Sequence, residues 1–114
     1  MKRLIALLAA VALVAAAFVA VPALAATKTV KVGPQIKFGP TKLSIKRGDT
    51  VKFVWTGKLP HNVRISKGPR TGTIAGSTHH SGYEKTKTFT RAGTYTIVCT
   101  IHQPDMAMKL RVTR

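Results

Sequence analysis

Apolar residues recur at every second position in this chain, in short runs separated by turn residues. Val30 and Val32 alternate with Lys31, and Leu43 and Ile45 sit among Lys42, Ser44 and Lys46. Val51, Phe53 and Trp55 alternate with Lys52 and Val54, and Val63 and Ile65 flank Arg64. Tyr95, Ile97 and Cys99 share one phase; so do Met108, Leu110 and Val112 further on. A period of two predicts half-buried strands with their lysines on the wet face. Thr86, Thr88 and Thr90 around Phe89 predict one more strand. The breaks fall at Gly33-Pro34, Gly39-Pro40, Arg47-Gly48-Asp49, Thr56-Gly57, Gly68-Pro69 and Ala92-Gly93. No stretch of this region carries a convincing helical period. Many short strands with regular turns predict an all-β fold, an antiparallel Greek-key β-sandwich. Residues 69–82 are rich in Gly, Thr and Ser and lack alternation, so a long loop, functional or mobile, is expected there.

The first residues follow another pattern. Met1-Lys2-Arg3 is basic, and an uncharged run of mostly Ala, Leu and Val extends from Leu4 to Ala26. Pro22 breaks it shortly before Ala23-Leu24-Ala25, whose small residues have the spacing that signal peptidase reads. This predicts a Sec-type signal peptide over residues 1–25 and a domain over residues 26–114. The competing reading is an uncleaved anchor, because the run is just long enough to span a bilayer. Lys2-Arg3 is not a twin arginine, and no cysteine follows the run, which excludes a lipoprotein anchor. Either way the domain is expected outside the cytoplasm, as secreted, periplasmic or envelope-associated protein.

Charge narrows the chemistry. The 114 residues carry 19 Lys and Arg against 3 Asp and Glu, a net charge of +16. So few acids exclude paired-carboxylate catalysis and an EF-hand. The length allows one domain. Residues 1–25 hold two of the cations, Lys2 and Arg3, which leaves the mature chain at +14. The cations are spread over many strands, with no aromatic stacking motif among them, so nucleic acid is not the expected partner. The charge instead suits an anionic cell-envelope surface or an acidic redox protein. A monomer is expected.

The densest chemistry lies near the C-terminus. A single cysteine excludes an internal disulfide. Cys99 could be a small buried core residue. However, His102 follows three residues later and Met106 four beyond that. Thiolate, imidazole and thioether within eight residues form a set of soft and borderline ligands that suits copper. A trigonal site needs one more imidazole, and His61 opens another strand. If that strand neighbours the one ending at Cys99, both residues lie at the same end of the sheet. Met108 competes with Met106, but its phase with Leu110 and Val112 assigns it to packing. His79 and His80, in the expected loop, are either solvated or a secondary metal site. Zinc lacks its usual paired ligand spacing here.

These residues resemble the cupredoxins, the plastocyanin, amicyanin and azurin family of blue copper proteins. The likeness runs through Lys46-Arg47-Gly48-Asp49-Thr50-Val51, His61-Asn62-Val63, Ala92-Gly93-Thr94-Tyr95 and Cys99-x2-His102-x3-Met106. It implies one copper per chain, with His61, Cys99 and His102 as equatorial ligands and Met106 as the weak axial one. It implies that Asn62 braces the two ligand loops and that His102 reaches the surface through an apolar collar. Ile101, Pro104, Leu59 and Pro60 are the candidates for that collar. The implied function is single-electron transfer by a protein that is not an enzyme; a copper carrier or storage protein using the same ligands is the rival. The chain has Met108 where the family often has glycine.

Overall fold

The computed structural model describes residues 24–114. The expected leader falls outside them except for Leu24 and Ala25, both exposed. Nine strands follow in order: β1 (Thr27–Val32), β2 (Phe38–Gly39), β3 (Lys42–Lys46), β4 (Thr50–Trp55), β5 (His61–Lys67), β6 (Gly72–His79), β7 (Glu84–Thr88), β8 (Gly93–Val98) and β9 (Ala107–Thr113). A short 3-10 turn, Thr100–His102, separates the last two. One sheet has the order β2-β1-β4-β7 and the other β3-β9-β8-β5-β6.

Alternation becomes packing most clearly in β4 and β9. In β4, Val51, Phe53 and Trp55 are buried and the residues between them only partly so; in β9 the buried set is Met108, Leu110 and Val112. These faces meet Val30, Val32, Ile65, Tyr95 and Ile97 in one core between the sheets. Each such side chain contributes about 1.5–3 kcal/mol when removed from water. Among the described residues, every strand and every buried side chain of this core lies between Thr27 and Thr113.

Three expectations need correction. The sheets are not purely antiparallel, because β1 pairs with β4 and β3 with β9 in parallel. Alternation shows which face of a strand is buried but not which way its neighbour runs. Parallel partners need a crossover, and here the chain leaves one sheet for the other between them. Second, the expected long loop contains β6, paired antiparallel with β5. The pairing is irregular, and the consecutive residues Ile74 and Ala75 are both buried, so the period of two is lost. Third, β7 ends at Thr88; all its side chains are exposed, and Phe89 is buried just beyond it. β7 is an edge strand, and Lys85 and Lys87 keep such an edge soluble.

One pairing places the site. β5 and β8 are antiparallel, with Arg64 opposite Val98 and Ile65 opposite Ile97. The start of β5 therefore lies beside the end of β8, which brings His61 to Cys99.

Candidate metal centre

His61 enters β5 fully buried, in a run of three buried residues, His61, Asn62 and Val63. The irregular pairing with β6 turns this stretch inward. Cys99 follows β8, is also fully buried, and stands at the N-terminal boundary of the 3-10 turn. That turn brings His102 back toward Cys99, and the loop then closes on itself. His102 N–H donates to the Cys99 carbonyl (3.2 Å), Met106 N–H to the His102 carbonyl (3.0 Å), and Cys99 N–H to the Met106 carbonyl (3.1 Å). Three donors within a span of eight residues are thus clasped in one small ring.

His61 Nδ1 lies 3.1 Å from His102 Nδ1, and Cys99 Sγ lies 3.4 Å from His102 Nδ1. The donor atoms of all three side chains fall within 4.8 Å of one another. Donors bound about 2.0–2.3 Å from a common ion stand roughly 3–4 Å apart, so these spacings fit one metal. Two neutral imidazoles that turn the same nitrogen toward each other share one proton at most; a cation between them satisfies both lone pairs. Burial pushes the His61 imidazole below its ordinary pKa, and the neighbouring His102 pushes it further. Contact with the Gln35 backbone offsets part of this, although His61 Nε2, buried, has no partner at hydrogen-bond geometry. The ring is therefore held in the neutral form that metals take.

Met106 is fully buried, as is the competing Met108 at 2% exposure. Their surroundings differ. Met106 belongs to the clasped loop, whereas Met108 is a strand residue opposite Ile97, in phase with buried Leu110 and Val112. Asn62 bridges the two ligand segments. Its Nδ2 donates to Thr100 Oγ1 (2.7 Å), and its Oδ1 accepts from Thr100 N–H (2.8 Å). His79 and His80 are not brought to this cluster. His79 pairs with His61 across the ladder, but its ring stacks on Tyr83 at 3.5 Å and meets Trp55 edge-on, while His80 is exposed.

Three supports escaped the sequence reading. Trp55 Nε1 donates to the His61 carbonyl (2.8 Å), fixing the backbone beneath the ligand. Gly33 is buried against His61: a Cβ there would lie 3.4 Å from His61 Nε2 and 2.5 Å from the Thr56 carbonyl. Thr100 completes the bridge to Asn62. Gly33-Pro34 shows itself in sequence only as a turn, and the roles of Trp55 and Thr100 depend on partners remote in the chain.

A family model described as copper-binding proteins of the plastocyanin/azurin family matches residues 25–113. The chain belongs to this family. A plastocyanin from Nostoc punctiforme is 36% identical over 92 residues, which cover 68% of this chain and 66% of that protein. The chain thus spans just under two thirds of that relative's length. Among solved structures, a reduced-state amicyanin variant superposes with a TM-score of 0.65 at 32% identity, covering 75% of this chain and 81% of its own. A Cu(I) amicyanin variant gives 0.64 at 31% identity, with the same two coverages. Plastocyanin- and amicyanin-type cupredoxins are electron carriers and not enzymes, and copper is the cofactor that the family and the donor set both indicate.

Exposed apolar side chains adjoin the ligand candidates in the chain. Besides Leu24, the exposed large hydrophobic residues among those described are Ile36, Leu59 and Ile101. Leu59 lies two residues before His61, and Ile101 adjoins His102. Ile36 lies in the segment that begins at Gly33, next to His61.

Proposed function

We propose that this cupredoxin carries single electrons between protein partners outside the cytoplasm, holding one copper with His61, Cys99 and His102 and, more weakly, Met106. The observation that carries this reading is the convergence of two imidazoles and one thiol, with their donor atoms within 4.8 Å of one another and His102 Nδ1 at hydrogen-bond distance from both others. Copper, when bound, supplies the one-electron Cu(II)/Cu(I) couple. The chain's own residues keep the donors in place whichever oxidation state they face. The Asn62–Thr100 bridge, the closed backbone ring from Cys99 to Met106 and the Trp55–His61 bond all oppose movement of a ligand. Little rearrangement means a small barrier to electron transfer.

His102 is the ligand candidate that retains surface exposure, and exposed Ile101, Leu59 and Ile36 are the apolar residues taken to form the collar around it. Such a surface sheds water easily, so a partner approaches within tunnelling distance. The mature charge of +14 favours an acidic partner and steers its approach. Residues 1–25 act as the export signal, and the domain of residues 26–114 works as a monomer.

The test is a visible and EPR spectrum of the domain after adding Cu(II), followed by voltammetry. An intense blue band, from charge transfer between the Cys99 thiolate and Cu(II), and a reversible one-electron wave are expected. A colourless protein with its thiol intact refutes the reading. A blue protein that hands its copper readily to an apo partner is instead a copper carrier.

A further inference from the structure

The chain has three acidic residues, and one of them is nearly hidden at the end of the sandwich where β1 begins. Asp49 is 7% exposed. Its Oδ2 accepts from Lys46 N–H at 2.9 Å, which closes the Arg47-Gly48 turn. Its Oδ1 reaches across to the first strand and accepts from Ala26 N–H, also at 2.9 Å. Ala26 is held on its other side as well, because its carbonyl accepts from Thr50 N–H at 2.9 Å. The parallel β1–β4 ladder starts at the next residue, with Thr27 opposite Thr50. Leu24 and Ala25, immediately before, are exposed, Leu24 at 95%. The first ladder therefore starts one residue after the point where the sequence pattern places the end of the leader, and the atom at that boundary, Ala26 N, touches a carboxylate.

We propose that Asp49 is the receptor for the α-ammonium group that cleavage between Ala25 and Ala26 creates, so that removal of the leader completes the fold. The inference rests on the export reading above. In the cleavage, water adds across the Ala25–Ala26 peptide bond under the action of a signal-peptidase-class protease. Ala25 leaves as a carboxylate, and the Ala26 amine takes up a proton. The hydrogen bond to Asp49, in which only the acceptor was charged, then becomes an ion pair with charge on both partners. Before cleavage, Ala26 N is an uncharged amide. The precursor is therefore less stable than its product, and the mature end is tied down rather than frayed. The Asp49 carboxyl is held below its ordinary pKa chiefly by the Ala26 and Lys46 N–H groups, with Lys28 and Lys46 as the charged neighbours, so it is ionised throughout the relevant range. Those two lysines weaken the attraction for a third cation without removing the direct contact.

The experiment compares two versions of the domain, one beginning at Ala26 and one carrying Gly-Ser ahead of Ala26, each with and without Asp49→Asn. At pH 6.5 the version beginning at Ala26 is expected to have an unfolding constant about three- to tenfold smaller. That advantage should vanish in the Asp49→Asn pair. It should also fade with alkali: a carboxylate partner raises the amine's pKa above its ordinary value of about 7.7–8.0, so the stabilisation is complete below that range and lost as pH rises through the folded value. If the Asp49→Asn chains do not fold, NMR titration of the Ala26 amine in the unsubstituted domain decides. A raised pKa supports the contact. Equal stability of the two N-termini at pH 6.5, or an amine that titrates at its ordinary value, overturns it. The mass of the secreted protein tests cleavage separately. A chain that starts elsewhere removes the export reading as stated, whatever the stability comparison gives.

Discussion

Cys99 has a role that volume cannot supply. Cys99→Ser keeps the side chain's size but removes the thiolate, so the blue band should disappear while the sandwich stays folded. Burying the hydroxyl should cost about 1–3 kcal/mol, measured by chemical denaturation. The two methionines should respond in opposite ways. Met106→Gln replaces a soft thioether, which favours Cu(I), with a harder oxygen, so the potential should fall with copper retained. Met108→Leu, a nearly volume-conserving change on the inner face of β9, should cost under about 1.5 kcal/mol and leave the potential in place. Voltammetry of both variants decides; a shift in the second but not the first would exchange their roles. Gly33 is the quieter case. Its φ of +97° and its approach to the Thr56 carbonyl leave no room for a Cβ. Gly33→Ala should destabilise by about 1–3 kcal/mol and should also disturb the EPR spectrum, because the displaced segment covers His61.

Among the elements, β5 and β8 each deliver one candidate ligand and together set the distance between them. Their ladder fixes Cys99 only as far as Val98, since the 3-10 turn has no strand partner. Asn62 supplies what the ladder does not, by tying the start of β5 to Thr100 inside that turn. Asn62→Ala removes both bonds and leaves the Thr100 N–H without its protein partner. A loss of about 1–3 kcal/mol is expected. A merely structural role ends there. A positioning role predicts in addition slower electron self-exchange, measured by NMR line broadening in mixtures of oxidised and reduced protein, because the ligand loop then moves between states.

At the scale of the whole molecule, charge and apolar surface do different jobs. The charge of +14 on residues 26–114 should speed encounter with an acidic partner by on the order of 10–10³ at low salt, and screening over about 8 Å at physiological ionic strength should erode that gain. Lys85 and Lys87 lie exposed on the edge strand β7, away from the donors. Replacing both with Glu should flatten the salt dependence and leave the potential unchanged. Ile101→Glu places a charge beside His102 and should slow transfer even when association is saturated. Stopped-flow oxidation by an acidic protein across a salt series reads both effects. Rates that stay flat, or rise, with salt would leave the basic charge to binding an anionic surface.

Much of this was legible in the chain itself. Alternation is a local property, so it located β1, β3, β4, β5, β8 and β9. Close spacing is local too, so Cys99, His102 and Met106 could be read as one ligand group, with copper as the metal their softness suits. What alternation lacks is direction and partnership. It could not reveal that β1 lies parallel to β4 and β3 to β9, because those ladders depend on where the chain crosses between sheets. It also missed β6, whose irregular pairing with β5 puts consecutive residues inside and so erases the period of two. Only tertiary structure brought His61 to Cys99 across nearly forty residues, set Gly33 and Trp55 against that imidazole, and laid Asp49 on Ala26. Each of these is a contact between remote segments, and its energy appears only once the chain has folded and water has left the space between them.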